Sequence, residues 1–341
     1  MNNIQHWTEL CQNLIAGQAL SIETADQALD AIMRGDIPDE QIGEFLLALR
    51  NKGETADEIA GAAMALRRHM RAIRSPHATF LDTCGTGGDG ARTFNISTAA
   101  ALVAAAAGVP VAKHGNRGIS SKSGSADVLT ALGVNISADL PVIERCLAEL
   151  GIGFCFAPLY HPAMKRVADV RRALGVPTIF NLLGPLANPA SAPCQLLGVG
   201  KPAYRPLLAG ALAQLGTRRS VVVSGRDGLD EVTLAGATDV SLVQDGQITE
   251  FTWSPADFGL QESPLDSLLI NDPADSAALI HRVLDNEPGP PREIVILNAA
   301  AGLWTAGAAT DPRVCAARAE RAIASGAAKT LLAKLAEQSQ T

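Results

Sequence analysis

The sequence predicts a small all-helical N-terminal domain followed by a larger α/β domain with a mostly parallel central sheet flanked by helices. Three observations predict it. Residues 1–73 show helical apolar spacing and no strand pattern. From residue 78 onward, short apolar strand candidates alternate with Ala-rich helices, the signature of β-α-β construction. The chain has 341 residues, 47% of them hydrophobic, which at roughly 100–200 residues per domain suits two cores.

Taken in order, Ser21 and Thr24 open a helix through Ala28, Ile32 and Met33. Pro38 starts one containing Ile42, Phe45, Leu46 and Leu49, since proline fits the first turn. Thr55-Ala56-Asp57-Glu58 is a capping box ahead of Ile59, Ala62, Ala63 and Leu66. Arg71 to His77, with Ser75-Pro76, reads as the linker. Beyond it come strand 79–84, helix 97–107, strand 109–112, helix 126–132 and strands 154–157 and 221–224. A helix spans 161–175, and 239–253 reads as a hairpin turning at Asp245-Gly246. A late strand is expected at 294–297 and a long helix from 313 to about 338.

Composition excludes several classes. Aromatics are only 4%, so Ala, Leu, Val and Ile must fill the core. A formal net charge of -7 argues against a general nucleic-acid binder but leaves room for a local basic pocket. The six cysteines show neither C-x-x-C pairing nor zinc spacing, and free thiols in a reducing cytoplasm are expected. The N-terminus lacks a signal-peptide pattern, and the longest apolar stretch, 99–112, holds Gly108 and Pro110 and is too short to span a bilayer.

Two loops carry chemistry. Gly85-Thr86-Gly87-Gly88-Asp89-Gly90 follows a strand and precedes a helix beginning at Asn95-Ile96-Ser97-Thr98. Glycines let backbone N–H groups approach an anion, and the helix start adds unpaired donors. Alone, such a loop is also an ordinary strand-to-helix turn. Lys113-His114-Gly115-Asn116-Arg117 follows the next strand, with Ser120-Ser121-Lys122-Ser123-Gly124-Ser125 opening the helix after it. Cations, serines and a second helix start thus gather at a strand end, where open α/β sheets bind ligands. Asp230 and Glu231 offer hard oxygens suited to Mg²⁺ shared with phosphates, although two acids on a solvated turn look the same. Arg171 interrupts an apolar stripe of Met164, Val167 and Leu174. It needs a carboxylate partner, from a substrate or from the protein, unless its stem merely snorkels.

GTGGDG, NIST, KHGNR and SSKSGSAD, in this order and spacing, resemble the anthranilate phosphoribosyltransferases. Further matches are Arg171-Arg172-Ala173-Leu174-Gly175, the stretch from Phe180 to Pro189, and Asp227-Gly228-Leu229-Asp230-Glu231. With the helical N-terminal region, the resemblance covers nearly the whole chain. It implies transfer of the 5-phosphoribosyl group of PRPP to the amine of anthranilate, in tryptophan biosynthesis, without a covalent nucleophile. It implies PRPP binding by Gly85, Gly88, Asp89, Thr93, Asn95, Ile96, Ser97, Thr98, Lys113, His114, Gly115, Asn116, Arg117, Gly118, Ile119, Ser120, Ser121 and Ser125. Anthranilate would meet Gly85, Asn116 and Arg171, with His114, Ala157, Pro158 and His161 as pocket wall. Ser97, Asp230 and Glu231 would hold Mg²⁺, two ions per chain, and His114 is a candidate proton acceptor. A homodimer through the helical domain is implied too, as is a segment, 161–190, that joins that domain in space. Nucleic-acid and membrane partners are not expected.

Two departures touch the pocket edge: Pro177-Thr178 where the family often has Arg-Thr, and Ser224-Gly225 where it often has His-Gly. A pyrimidine nucleoside phosphorylase of similar fold and a non-catalytic nucleic-acid-binding relative are the rival readings. KHGNR, Arg171 and DGLDE favour the transferase.

Overall fold

The computed structural model describes residues 3–118 and 122–341. Four helices lead: α1 (Asn3–Ile15), α2 (Ile22–Arg34), α3 (Asp39–Lys52) and α4 (Ala56–Arg68). Their starts follow the sequence signals. Ser21 caps α2, Pro38 precedes α3, and Thr55 with Glu58 forms a capping box on α4. Glu58 does more than cap. Fully buried, it also accepts the Leu20 N–H at 2.9 Å and the Lys52 ammonium at 2.9 Å, tying three helix ends together.

Seven strands follow: β1 (Leu81–Gly85), β2 (Val111–Gly115), β3 (Ile152–Phe156), β4 (Cys194–Gly198), β5 (Arg219–Gly225), β6 (Thr238–Gln244) and β7 (Gln247–Trp253). They form one sheet in the order β3-β2-β1-β4-β5-β6-β7. The first five in that order are parallel, and β6 and β7 are antiparallel. The β6–β7 hairpin turns at Asp245 and Gly246, both with positive φ, 51° and 77°, as a two-residue primed turn requires. Strand order reverses between β1 and β4, so the crevice beyond their C-terminal ends is the expected ligand site.

The sheet packs on both faces. On one side Leu196, Val221 and Val223 join a core with the helices Ile96–Ala106, Pro273–Leu284, Pro290–Thr305 and Pro312–Ala324. On the other, Leu197, Val199 and Val222 join the apolar residues of α1–α4 and of helix Tyr204–Gln214. Val167, Val170, Phe180, Leu183 and Leu186 belong to that second core, so the segment from 165 to 187 packs as part of the bundle. Among the described residues, no helix is long and apolar enough to cross a membrane.

Three sequence expectations fail. Residues 294–297 are not a strand but lie inside helix Pro290–Thr305. That helix is buried from Ile294 through Leu303, so it carries no polar face to betray a 3.6-residue period. The long terminal helix is two, Pro312–Ala324 and Ala327–Gln338, broken where Gly326 takes φ 74°. The expected helix 161–175 becomes a short 3₁₀ turn, Pro162–Met164, then an α-helix from Lys165 to Leu174. The sequence reading also lacks helix Leu140–Leu150, strand β4, helix Tyr204–Gln214 and helix Pro273–Leu284.

Candidate functional site

The site lies at the reversal point. β1 ends in Gly85 and β4 in Gly198, paired in register. Between them sits the loop carrying Asp230. A Cβ on Gly85 would lie 2.5 Å from Asp230 Oδ2, and one on Gly198 would lie 1.6 Å from the Asp230 carbonyl oxygen. Glycine is therefore required at both strand ends by close approach. Asp230 Oδ2 accepts the Gly87 N–H at 2.9 Å, joining this loop to the glycine turn. Gly87, Gly88 and Gly90 all take positive φ, which only glycine adopts freely. Asp89 accepts the N–H of Ala91 at 3.3 Å and braces the same turn.

Asp230 and Glu231 are crowded acids. Burial, then the Asp89 charge, pushes Asp230 up to about 7. Burial and the neighbouring Asp230 raise Glu231 well above the carboxylate range. Lys113 and the Ser97 N–H oppose that rise on Glu231. Lys113, on β2, is buried, and its ammonium donates to the Thr83 carbonyl and, at 3.1 Å, to Ser97 Oγ. Burial lowers its pKa while Asp82, Glu231 and Asp230 pull it back up. One buried cation thus faces three carboxylates, a charge balance that a divalent cation would complete. Hard oxygens from Asp230, Glu231 and Ser97 suit Mg²⁺. Among the described residues no group of three or more His, Cys, Asp or Glu could hold a metal ion, so phosphate or water oxygens must supply the remaining ligands.

Asn95 caps the helix Ile96–Ala106: its Oδ1 accepts the Thr98 N–H at 3.0 Å and the Ser97 hydroxyl at 3.3 Å. Ser97 stays half-buried beside Lys113. Thr98 and Ile96 turn inward instead. The Thr98 hydroxyl is buried without a hydrogen-bond partner among the described residues, and its side chain lines a small cavity with Ala101, Leu129 and Phe154. Thr93 pairs with Leu269 at the rim.

Beyond β2 the chain turns through Asn116, Arg117 and Gly118, all exposed. Asn116 Oδ1 accepts the Arg117 N–H at 2.8 Å, and the Asn116 carbonyl accepts the Ala126 N–H at 3.2 Å and the Ser125 hydroxyl at 3.4 Å. Gly115 packs against Ser125, whose Oγ would lie 2.0 Å from a Cβ there. Ile119, Ser120 and Ser121 lie outside the described residues.

His114 and His161 form a buried pair, Nε2 to Nε2 at 3.2 Å, while His114 Nδ1 donates to the Gly184 carbonyl at 3.1 Å. Burial lowers His114 to about 3 and His161 to about 4. Arg171 lies half-buried with its guanidinium 5.6 Å from the Phe180 ring centre. No acid among the described residues pairs with it, and burial lowers its pKa. Its neighbour Arg172, by contrast, is exposed and paired with Asp169.

Three supporting residues escaped the sequence reading. Asn298, fully buried on helix Pro290–Thr305, accepts the Val232 N–H and donates to the Val232 carbonyl, both at 2.9 Å. It pins the backbone directly after Glu231. Asp82 is fully buried on β1; it accepts the His114 N–H at 3.2 Å and the Gln195 amide at 3.2 Å. Gln195 in turn donates to the Pro185 carbonyl at 2.6 Å, so this network seats the 184–188 segment on the sheet. For Asp82 and Gln195 the only sequence signal was polarity inside an apolar strand.

Comparison with known proteins agrees with this architecture. The helical-bundle model of a glycosyl transferase family matches residues 8–70, and the α/β-domain model of that family matches residues 77–329. An anthranilate phosphoribosyltransferase of Anaeromyxobacter dehalogenans is 53% identical over 322 residues, covering 94% of this chain and 95% of its own. One from Moorella thermoacetica is 49% identical over 319 residues, 94% of each chain. The crystal structure of anthranilate phosphoribosyltransferase from Thermus thermophilus superposes with a TM-score of 0.91 at 42% identity, over 97% of this chain and 99% of that one. The Saccharomyces cerevisiae enzyme in complex with PRPP and Mg gives a TM-score of 0.88 at 28% identity, over 98% of each chain. With its bundle, its sheet order and its carboxylate-lined reversal point, the chain belongs to the anthranilate phosphoribosyltransferase family of glycosyl transferases.

Proposed function

We infer that this chain transfers the 5-phosphoribosyl group of PRPP to the amine of anthranilate, releasing pyrophosphate. The observation that carries it is the crevice between β1 and β4, where Asp230, Glu231 and Ser97 face Lys113 beside the glycine turn. In the reaction the bond from C1 of PRPP to pyrophosphate breaks, a C1–N bond forms, and the amine loses a proton. Positive charge grows on the ribose and negative charge on the leaving group, so positioning and electrostatics do the work.

Mg²⁺ belongs to this reading, held by Ser97, Asp230 and Glu231. When bound it neutralises pyrophosphate charge. Two ions per chain are the expectation, with Asp89 close enough to Asp230 to share in the second. Lys113 stabilises the departing pyrophosphate from below. The amides of the Gly85–Gly90 turn that Asp230 leaves free, and that of Gly115, hold phosphate oxygens, as do the hydroxyls of Ser97 and Ser125 and those of Ser120 and Ser121. Asn95 acts by capping the helix that presents Ser97. Thr98 and Ile96 contribute through their backbone, since their side chains face the core. Arg171 takes the anthranilate carboxylate, with Asn116 and Gly85 at the other end of the ring.

His114 is no base for this step. A ring held near pKa 3 and already donating to Gly184 is a poor proton acceptor at neutral pH. The aromatic amine is a neutral nucleophile at that pH, and solvent can take its proton. The pair His114–His161 is pocket wall. A homodimer through α1–α4, a boundary between residues 73 and 78, and a cytoplasmic setting complete the reading, supported by the family.

Loss of anthranilate fluorescence on mixing with PRPP and Mg²⁺ tests it. No loss, with phosphorolysis of thymidine instead, would overturn the transferase in favour of a nucleoside phosphorylase.

A further inference from the structure

One carboxylate beside the phosphate-facing loops has no part in the reaction just described. Asp127 sits on the first turn of the helix Ser125–Ala131. Its Oδ2 accepts the Gly118 N–H at 2.8 Å and the Gly124 N–H at 3.2 Å. Its Oδ1 accepts from Arg117 Nη1 at 2.9 Å. Three donors from two stretches of chain therefore converge on one side chain. An ordinary capping acid serves the helix start alone. Here the carboxylate also reaches back nine and ten residues, to Gly118 and Arg117 in the turn after β2.

The backbone at this point is pressed together. A Cβ on Gly124 would lie 2.1 Å from the Gly118 nitrogen and 2.5 Å from the Arg117 carbonyl carbon. The Asn116 carbonyl, accepting from Ala126 and Ser125, closes the same neck one residue earlier. Asp127 is thus the polar half of a junction whose steric half is Gly124. Arg117 is committed as well: its guanidinium pairs with Asp127 and lies 5.8 Å from the Phe156 ring centre. It is braced by the protein on both sides and is not a free cation.

We propose that Asp127 is a positioning residue for PRPP, fixing the Asn116–Gly118 turn against the start of the helix Ser125–Ala131. It acts through the Gly118 and Gly124 amides and does not touch substrate. This rests on the reading that PRPP binds these loops. The hydrogen bonds run from neutral amides to an ionised acceptor, the stronger kind. Asparagine can keep the amide bonds through its carbonyl oxygen, but it gives up the pair with Arg117. Alanine loses both.

The test is steady-state kinetics with each substrate varied in turn, at saturating Mg²⁺, on wild type, Asp127→Ala, Asp127→Asn and Gly124→Ala. Losing bonds to a charged acceptor should raise the PRPP KM by about ten-fold or more in Asp127→Ala. The anthranilate KM should move by less than about three-fold in the same variant. Asp127→Asn should stay within about three-fold of wild type for PRPP, because the amide bonds survive. Gly124→Ala, which pries the neck apart while the Asp127 carboxylate is retained, should copy Asp127→Ala. Thermal midpoints for every variant separate misfolding from mispositioning. If Asp127→Ala does not fold, Gly124→Ala and Asp127→Asn still decide. An unchanged PRPP KM in Asp127→Ala, proportional losses for both substrates, or equal losses in the Ala and Asn variants would overturn the proposal. A wild type that does not turn over PRPP and anthranilate would instead remove the reading beneath it.

Discussion

Arg171 holds its guanidinium over Phe180, partly desolvated, with no acid among the described residues to pair with it. A half-buried cation in that state is destabilising unless a ligand completes it. In the proposed reading the anthranilate carboxylate would do so with two parallel hydrogen bonds. Arg171→Ala should therefore raise the anthranilate KM by roughly 10–100-fold and leave the PRPP KM nearly unchanged. Arg171→Lys keeps the charge but not the fork, and should recover little. Equal loss for both substrates would remove Arg171 from the acceptor site. His161 makes a different prediction. It stays neutral in the folded chain down to about pH 4, whereas an unfolded histidine titrates near 6.5. A depressed histidine pKa favours folding fully above 6.5 and loses that contribution as pH falls toward 4. Asp230 shifts in the opposite direction, so the comparison is with a variant in which everything else is retained. Between pH 7 and pH 5, wild type should lose about 2 kcal/mol of unfolding free energy relative to His161→Gln. Parallel pH profiles for the two proteins would show that the pair is not held neutral.

At the level of the element, the crevice is made by strand ends, and the glycines there matter more than any side chain. Gly198 ends β4 with the Asp230 carbonyl where its Cβ would be. That neighbour is backbone and cannot swing aside. Gly198→Ala should cost about 1–3 kcal/mol in stability and shift the Asp230–Glu231 loop, seen as a weakened Mg²⁺ requirement together with a fall in kcat. Normal turnover and metal dependence would mean that the loop adapts. The sequence made the Asp230 loop legible but hid β4, because Cys194–Gly198 is too short to show alternation and is buried along its whole length. The same physics hid the helix Pro290–Thr305, whose apolar run 294–297 imitates a buried strand. Elements with one wet face were readable: α2, α4 and the β6–β7 hairpin match their capping and turn signals. The glycine-rich turn after β1 and the cation-bearing turn after β2 were readable too, since their glycines and cations are local. Asn298 and Gln195 were not, since their roles exist only across 66 and 10 or more residues of separation.

Across the whole molecule, the bundle and the sheet share one apolar core. Leu197 and Val222 face α1–α4, while their strand neighbours Leu196, Val221 and Val223 face the opposite core. Alternation along β4 and β5 therefore couples the two cores through single strands. Arg67 of α4 adds a polar tie, donating to the Leu186 carbonyl at 2.7 Å. Loosening the bundle should then loosen the far side of the sheet. Phe45 is fully buried in α3, and Phe45→Ala should cost about 3–5 kcal/mol. Trp253 and Trp304, edge to face at 5.2 Å, sit in or against the opposite core, and Trp7 is the only other tryptophan. In a Trp7→Phe background, tryptophan fluorescence reports that opposite core alone. Its thermal midpoint in Phe45→Ala should fall together with the helical signal by circular dichroism, as one transition. If fluorescence kept the parent midpoint while part of the helical signal melted early, the bundle would be an independently unfolding unit. The shared core would then be a contact surface between two folding units.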